Sequence, residues 1–193
     1  MIAVLIATTV YGAADKTLKN LKSAYAGETE AVSKYTQYAK ATTKEHMPFE
    51  AGLFAAISVS ESVHARNHLR VLNAHGIFVA PTKYAGKVGS TRENIIDSRI
   101  DENEEYKVMY PGYIATANAE GFKDAVSTFT YAQRAEKGHA WFFTTAEMRE
   151  KDDDKTAKVQ MFVCMGCGQT FATKAPASCP VCGKPHPKPI ALE

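Results

Sequence analysis

The sequence predicts a mainly α protein, a bundle of four long helices followed by a small cysteine-rich metal-binding unit. Three observations carry this. Apolar residues recur at helical spacing through most of residues 15 to 151. The first 163 residues hold no cysteine, and all four cysteines fall between Cys164 and Cys182 as two Cys-x-x-Cys pairs. Charged residues also stand inside the apolar stripes, where a simple bundle would have more hydrophobic side chains.

Composition removes several classes. A chain of 193 residues, 45% hydrophobic, is long enough to bury a sizeable core. No apolar run reaches about 18 residues, so no membrane-spanning helix is expected. Lys and Arg total 23 against 21 acidic residues, and a net charge of +2 gives no reason to expect a nucleic-acid partner. Four cysteines are too few for a disulfide scaffold at this length.

Residues 1–14, MIAVLIATTVYGAA, are uncharged. They form an apolar arm that packs on the body or on a second subunit, or else a signal segment. No Lys or Arg precedes the apolar run, as a signal would require, so the arm is the expectation. The expected compartment is cytoplasmic, and periplasmic if the segment is a signal.

From Asp15 to about Glu45, Leu18, Leu21, Tyr25, Val32 and Tyr35 repeat at helical spacing. Pro48 marks a second helix start. Phe54, Ile57, Val71 and Leu72 continue that helix until His75-Gly76. Residues 76–90 hold Pro81, Gly86 and Gly89 and make a long connection. Thr91, Asn94 and Ile95-Ile96 open a third helix running to Ala119, with Pro111 inside it to kink it or disturb a turn. Glu120-Gly121 ends it, and Phe122 to about Lys151 is the fourth. Short connections after the first and third helices and a long one after the second make the arrangement ferritin-like, over residues 15–150. Residues 151–158, with Asp152-Asp153-Asp154, are a charged linker, and residues 159–193 are the cysteine-rich domain. That tail has three Lys and one acidic residue, so it carries the net +2 and leaves the body near neutral.

The stripes contain Glu28 beside Tyr25 and Val32, Glu61 and His64 after Ile57, Glu102 after Ile95, and Glu136 and His139 after Ala132. Glu105 follows Glu102 by one turn. An unpaired carboxylate in a bundle core costs several kcal/mol, so each needs a cation or a proton. Glu61-x-x-His64 and Glu136-x-x-His139 each place two ligands on one helix face. Two such pairs, with a Glu from each of the other helices, form the di-iron carboxylate pattern. Carboxylates with imidazoles suit iron or manganese better than a soft metal. Tyr35 and Tyr110 lie within two turns of these ligands and can hydrogen-bond a carboxylate. His68 shares the face of His64 and reads as a solvated or supporting residue. His46, His75 and His186 read as surface residues.

In the tail, Gly168 and Gly183 follow the two Cys-x-x-Cys pairs and allow the positive φ that tight knuckles need. Cys164, Cys167, Cys179 and Cys182 therefore form a four-thiolate site. The cysteines alone do not decide between iron and zinc.

Together these motifs resemble the rubrerythrin family. The match rests on Glu28 within AYAGETEA, Glu61-x-x-His64, Glu102-x-x-Glu105, MYP at Met109 to Pro111, Glu136-x-x-His139 and the Cys-x-x-Cys-Gly and Cys-Pro-x-Cys-Gly tail. It runs from about Asp15 to the C-terminus. The resemblance implies a di-iron centre and a rubredoxin-like mononuclear iron, with zinc or manganese as possible substitutes. It implies bridging by Glu61 and Glu136, one iron held by Glu28, and the other by Glu102 and His139. Glu105 and His64 would exchange on the first iron, and Tyr35 and Tyr110 would support the ligands. It also implies reduction of hydrogen peroxide to water, with electrons from an NAD(P)H-dependent reductase or a rubredoxin, in a homodimer or larger homo-oligomer. Two other readings use similar parts: an iron-storage or ferroxidase bundle, and a non-redox protein with a structural zinc ribbon.

One geometric expectation concerns assembly. A tail leaving the end of the fourth helix would fold back only along the outside of the bundle, well away from the buried irons. A partner subunit's tail would then serve the di-iron site.

Overall fold

The computed structural model describes residues 15–149 and 158–191. The apolar arm or signal at residues 1–14 and all but Lys158 of the linker lie outside the described residues. Helices α1 (Asp15–Lys44) and α2 (Pro48–Ala74) form one antiparallel pair. Helices α3 (Thr91–Glu104) and α4 (Tyr110–Ala119) are two parts of the bundle's third rod, joined by a π-helical turn at Glu105–Met109. Helix α5 (Lys123–Arg149) packs against both. The long crossover between α2 and α3 gives the ferritin-like connectivity.

Local chemistry sets the boundaries. Pro48 occupies the first turn of α2, where its missing N–H costs nothing. Gly76 (φ 72°) and Gly121 (φ 73°) take the left-handed conformation just after α2 and α4. Helix α3 opens at Thr91, as the sequence predicts, and is capped by Ser90. Its hydroxyl accepts from Glu93 N, and the Glu93 carboxylate accepts from Ser90 N at 2.8 Å.

Pro111 disturbs a turn, as its lack of an N–H requires, and the disturbance takes a defined form. The Tyr110 N–H reaches back five residues to Glu105 O, which inserts one residue into the turn. Glu102 and Tyr110 are eight residues apart. On an uninterrupted helix they would point about 80° apart, and the extra residue brings them to within about 20°. Both side chains are buried.

The core is divided. One apolar cluster holds Tyr35, Tyr38, Phe54, Ile57, Ile95 and Phe143, and the other holds Leu21, Leu72, Tyr110, Phe129 and Ala132. On each rod the inward-facing carboxylates fall between the two clusters, at mid-bundle.

The tail forms a three-stranded antiparallel sheet of β1 (Met161–Val163), β2 (Thr170–Ala172) and β3 (Lys188–Pro189), in the order β2-β1-β3. Its packing corrects the geometric expectation of a distant cysteine site. Met161 and Val163 join the same apolar cluster as Phe54 and Phe143 of the bundle. Asn67 Nδ2 donates to Gly166 O at 3.0 Å and Arg66 to Met165 O. The cysteine knuckle thus sits on α2 and α5 of its own chain. The expectation failed because it weighed chain lengths alone, the linker's reach and the position of the site along the fourth helix, and took the tail to run along the outer surface. It could not see that β1 carries apolar side chains suited to the bundle surface.

Candidate metal centre

Four buried residues from three helices, Glu28, Glu61, His64 and Glu136, place one ligand atom each within 4.8 Å of one another. A second group, Glu61, Glu102, Glu136 and His139, does the same. Glu61 and Glu136 belong to both. His64 Nδ1 lies 2.8 Å from Glu61 Oε2, 2.9 Å from Glu136 Oε1 and 3.4 Å from Glu28 Oε2. His139 Nδ1 lies 2.7 Å from Glu136 Oε2, 3.3 Å from Glu61 Oε1 and 3.4 Å from Glu102 Oε2. Each imidazole therefore presents one nitrogen to three carboxylates. Glu105 is outside both groups. It is half-buried and lines a crevice of about 270 Å³ with Lys34, Asp97 and Asp101.

The opposite nitrogens settle the tautomers. His64 Nε2 faces Cys167 O at 3.2 Å, and a carbonyl only accepts, so Nε2 carries the proton. His139 Nε2 faces Thr170 Oγ1 at 3.1 Å. The Thr170 hydroxyl donates to Gly168 O, so its oxygen accepts from His139. In the neutral imidazoles both Nδ1 lone pairs then point into the carboxylate cluster, the arrangement a metal ligand needs.

Supporting hydrogen bonds fix the carboxylates. Tyr35 OH donates to Glu102 Oε1 at 2.6 Å, and Tyr110 OH donates to Glu28 Oε1. His68 is fully buried between Tyr110 OH and Thr128 Oγ1, so it supports the site from behind and is not solvated. His46, His75 and His186 are exposed.

The residues fit a pair of cations. Glu102 Oε2, both Glu136 carboxylate oxygens and His139 Nδ1 are buried and form no well-aligned hydrogen bond, although each lies 2.7–3.4 Å from another member of the cluster. Such atoms are costly unless a bound cation satisfies them. Electrostatics agrees. Burial and the neighbouring Glu136 and Glu28 push the Glu61 carboxyl up to about 8, and burial pushes Glu102 up to about 7. Burial disfavours the charged imidazoles, but the surrounding carboxylates outweigh it and hold His64 and His139 well above the usual range. In the metal-free protein these protons occupy positions that a metal must claim. Ferrous affinity is therefore expected to rise steeply between about pH 6 and pH 8, with protons released on binding. Anaerobic titration in a weakly buffered indicator solution reads both. Affinity and proton release that do not change across this range would show that the cluster is already deprotonated.

In the tail, Cys164 Sγ and Cys182 Sγ are 3.5 Å apart, as are Cys167 Sγ and Cys179 Sγ. That is too long for a disulfide and close to the edge, about 3.8 Å, of a tetrahedron with 2.3 Å metal–sulfur bonds. All four sulfurs lie within 4.8 Å of one another. Burial raises the Cys167 and Cys182 thiols. At Cys164 the N–H groups of Gly166 and Cys167 outweigh burial and favour the thiolate.

Gly168 (φ 85°) couples the two sites. Its carbonyl accepts from Ser60 Oγ at 2.6 Å, and a Cβ here would collide with the His64 ring. Gly168→Ala is expected to cost about 1–2 kcal/mol in backbone strain alone and to displace His64. Thermal unfolding should fall and iron content at the carboxylate site should drop. Unchanged iron content would mean that His64 is free to move.

The family model described as Rubrerythrin matches residues 19–147. The chain belongs to the rubrerythrin family. It is 32% identical to a rubrerythrin of Porphyromonas gingivalis over 174 residues, 89% of this chain and 87% of the relative. It is 35% identical to nigerythrin of Nitratidesulfovibrio vulgaris over 176 residues, 90% of this chain and 85% of the relative. The solved structure of fully reduced, all-ferrous nigerythrin superposes with a TM-score of 0.81 at 32% identity, covering 94% of this chain and 88% of that one. For this rubrerythrin-family chain the cofactor is iron, at a carboxylate–histidine di-iron site and a four-cysteine site. Among the described residues no helix is long and apolar enough to cross a membrane.

Sequence reasoning missed the residues that join the two sites. Ser60, Asn67, Cys167 O, Gly168 and Thr170 are polar groups with ordinary local roles. Their partners lie about a hundred positions away, or about thirty for Thr170 and His139, and no periodicity reports such pairings.

Proposed function

We propose that this protein reduces hydrogen peroxide to water. Electrons from NAD(P)H reach it through a donor reductase or a rubredoxin and enter at the four-cysteine site. The observation that carries this reading is the position of Cys167. Its sulfur belongs to the four-thiolate group, and its carbonyl holds His64, whose other nitrogen faces Glu28, Glu61 and Glu136. A storage bundle has no use for such a connection, and a structural zinc ribbon would not need to touch both histidines.

Glu61 and Glu136, which belong to both ligand groups, would hold two irons together with Glu28 and His64 in one group and Glu102 and His139 in the other. Iron held there supplies electrons and polarises peroxide oxygens for O–O cleavage. The chain's own residues do the rest. Tyr35 and Tyr110 keep Glu102 and Glu28 from rotating. Cys167 O and Thr170 hold the imidazoles in their metal-binding tautomers. The apolar clusters on either side exclude bulk water. Glu105, beside the crevice and outside both groups, would be the carboxylate to take the place of His64 as a ligand. Reduction consumes two electrons and two protons per peroxide and yields two waters. The contacts of Cys167 O and Thr170 with His64 and His139 of the same chain support a relay within one chain, in a homodimer or larger assembly as in a monomer.

The test is anaerobic rapid mixing of the fully reduced, iron-loaded protein with limiting hydrogen peroxide. One peroxide should oxidise one di-iron pair, with no radical trapped. Faster oxidation by dioxygen than by peroxide, with growth of a mineral core, would establish the ferroxidase reading instead.

A further inference from the structure

Between α2, α5 and the second cysteine knuckle lies a cleft of about 540 Å³. Arg66 and Arg70 of α2 and Lys184 of the tail line it, and among the described residues no carboxylate does. Met165 and Tyr131 supply apolar and aromatic surface on its walls. Cys182 also lines it, and it is the one cysteine of the four that is not buried. The cleft therefore sets positive charge around the edge where electrons can reach the thiolate site most directly.

We propose that this basic cleft is the docking surface for a small acidic protein that delivers one electron at a time to the Cys182 edge. The proposal rests on the relay reading above. A nicotinamide gives up its electrons as a hydride pair, and a single iron–thiolate site has no second redox step with which to accept a hydride. The immediate donor is then a one-electron carrier. Charge complementarity identifies its chemistry. Two guanidinium groups and an ammonium without a lining carboxylate repel a basic partner and steer an acidic one. Arg with exposed Met and half-buried Tyr is also the composition enriched at protein interfaces, with the charges at the rim. In the step itself one electron leaves the reduced carrier and the four-cysteine iron passes from ferric to ferrous. No proton or group is transferred.

The test uses the full-length, iron-loaded protein and reduced rubredoxin, a small acidic iron–thiolate protein, as the probe. Reduction of the four-cysteine iron is followed by its visible absorption in stopped flow, before any question of peroxide arises. The second-order rate should fall as salt is raised. In the double variant R70E/K184E it should drop at least about tenfold at low ionic strength, and its salt dependence should reverse. Calorimetric binding of oxidised rubredoxin should weaken in parallel. Arg66 is left intact because it holds Met165 O. Reduction by photoreduced lumiflavin, an uncharged donor, should be unchanged, which shows that the iron site is intact. Equal rates and salt dependence in wild type and variant would overturn the proposal. So would saturable reduction by NADH alone that is lost in R70E/K184E, because the cleft would then be a nucleotide site. Failure of peroxide turnover with normal rubredoxin entry would count against the peroxidase reading and leave the docking surface standing.

Discussion

Replacing Glu61 or Glu136 by Gln or Ala is expected to abolish the di-iron site. These two carboxylates belong to both ligand groups, so either change removes a ligand from each metal position. Ligand loss should weaken iron binding by well over the 10–100-fold seen for outer-shell changes. The stabilisation that iron confers, about 2.7 kcal/mol at a hundredfold excess over the dissociation constant, should vanish with it. Without metal the two variants should differ. Glu61 is held protonated to about pH 8 by burial and by Glu136 and Glu28, so Glu61→Gln relieves repulsion and costs little. Burial also opposes ionisation of Glu136, but His64 and His139 outweigh it and keep it ionised. Glu136→Gln therefore strips both imidazoles of a shared anion and should destabilise the metal-free fold by about 3 kcal/mol or more. Iron analysis and thermal unfolding with and without iron read all of this. Full di-iron occupancy in either variant would overturn the assignment.

The second large effect is at the tail. Cys179→Ser should eliminate the iron–thiolate absorption and steady-state turnover with NAD(P)H and its donor. It should leave single-turnover peroxide reduction intact once the carboxylate site is reduced chemically. Cys179 is buried with its sulfur against Cys167 Sγ, and it belongs to neither carboxylate–histidine group, so the split is expected to be clean. Loss of the knuckle's fold would also shift Gly168 and hence His64. Circular dichroism and iron content at the carboxylate site serve as the control. If NAD(P)H-driven turnover survives without the thiolate iron, the tail is not the relay.

The residues that the fold gathers into the two buried carboxylate–histidine groups were legible in sequence for a physical reason. A carboxylate on the apolar stripe of a helix has no stable explanation except a cation or a proton. Two Glu-x-x-His pairs on helices with the right connections narrow that to a metal pair. The cysteine knuckles were legible because Cys-x-x-Cys-Gly spacing encodes its own local turn. Helix limits came within a residue or two, since Pro48, Gly76 and Gly121 act locally.

What depends on distant partners was not legible. Pro111 announced a disturbed helix, but only packing against α5 shows that a π turn brings Tyr110 onto the face of Glu102. His68 read equally well as a solvated or a supporting side chain until Tyr110 and Thr128 were seen on either side of it. Glu105 read like any other ligand, and the fold places it outside both groups, at the edge of a crevice. The sequence by itself determined which side chains can hold iron, because helical period and turn chemistry are local properties. Only the tertiary structure decided that the thiolate knuckle rests on His64 and His139. That contact depends on the apolar face of β1 finding the α2 surface, a match between segments about a hundred residues apart that no local pattern records.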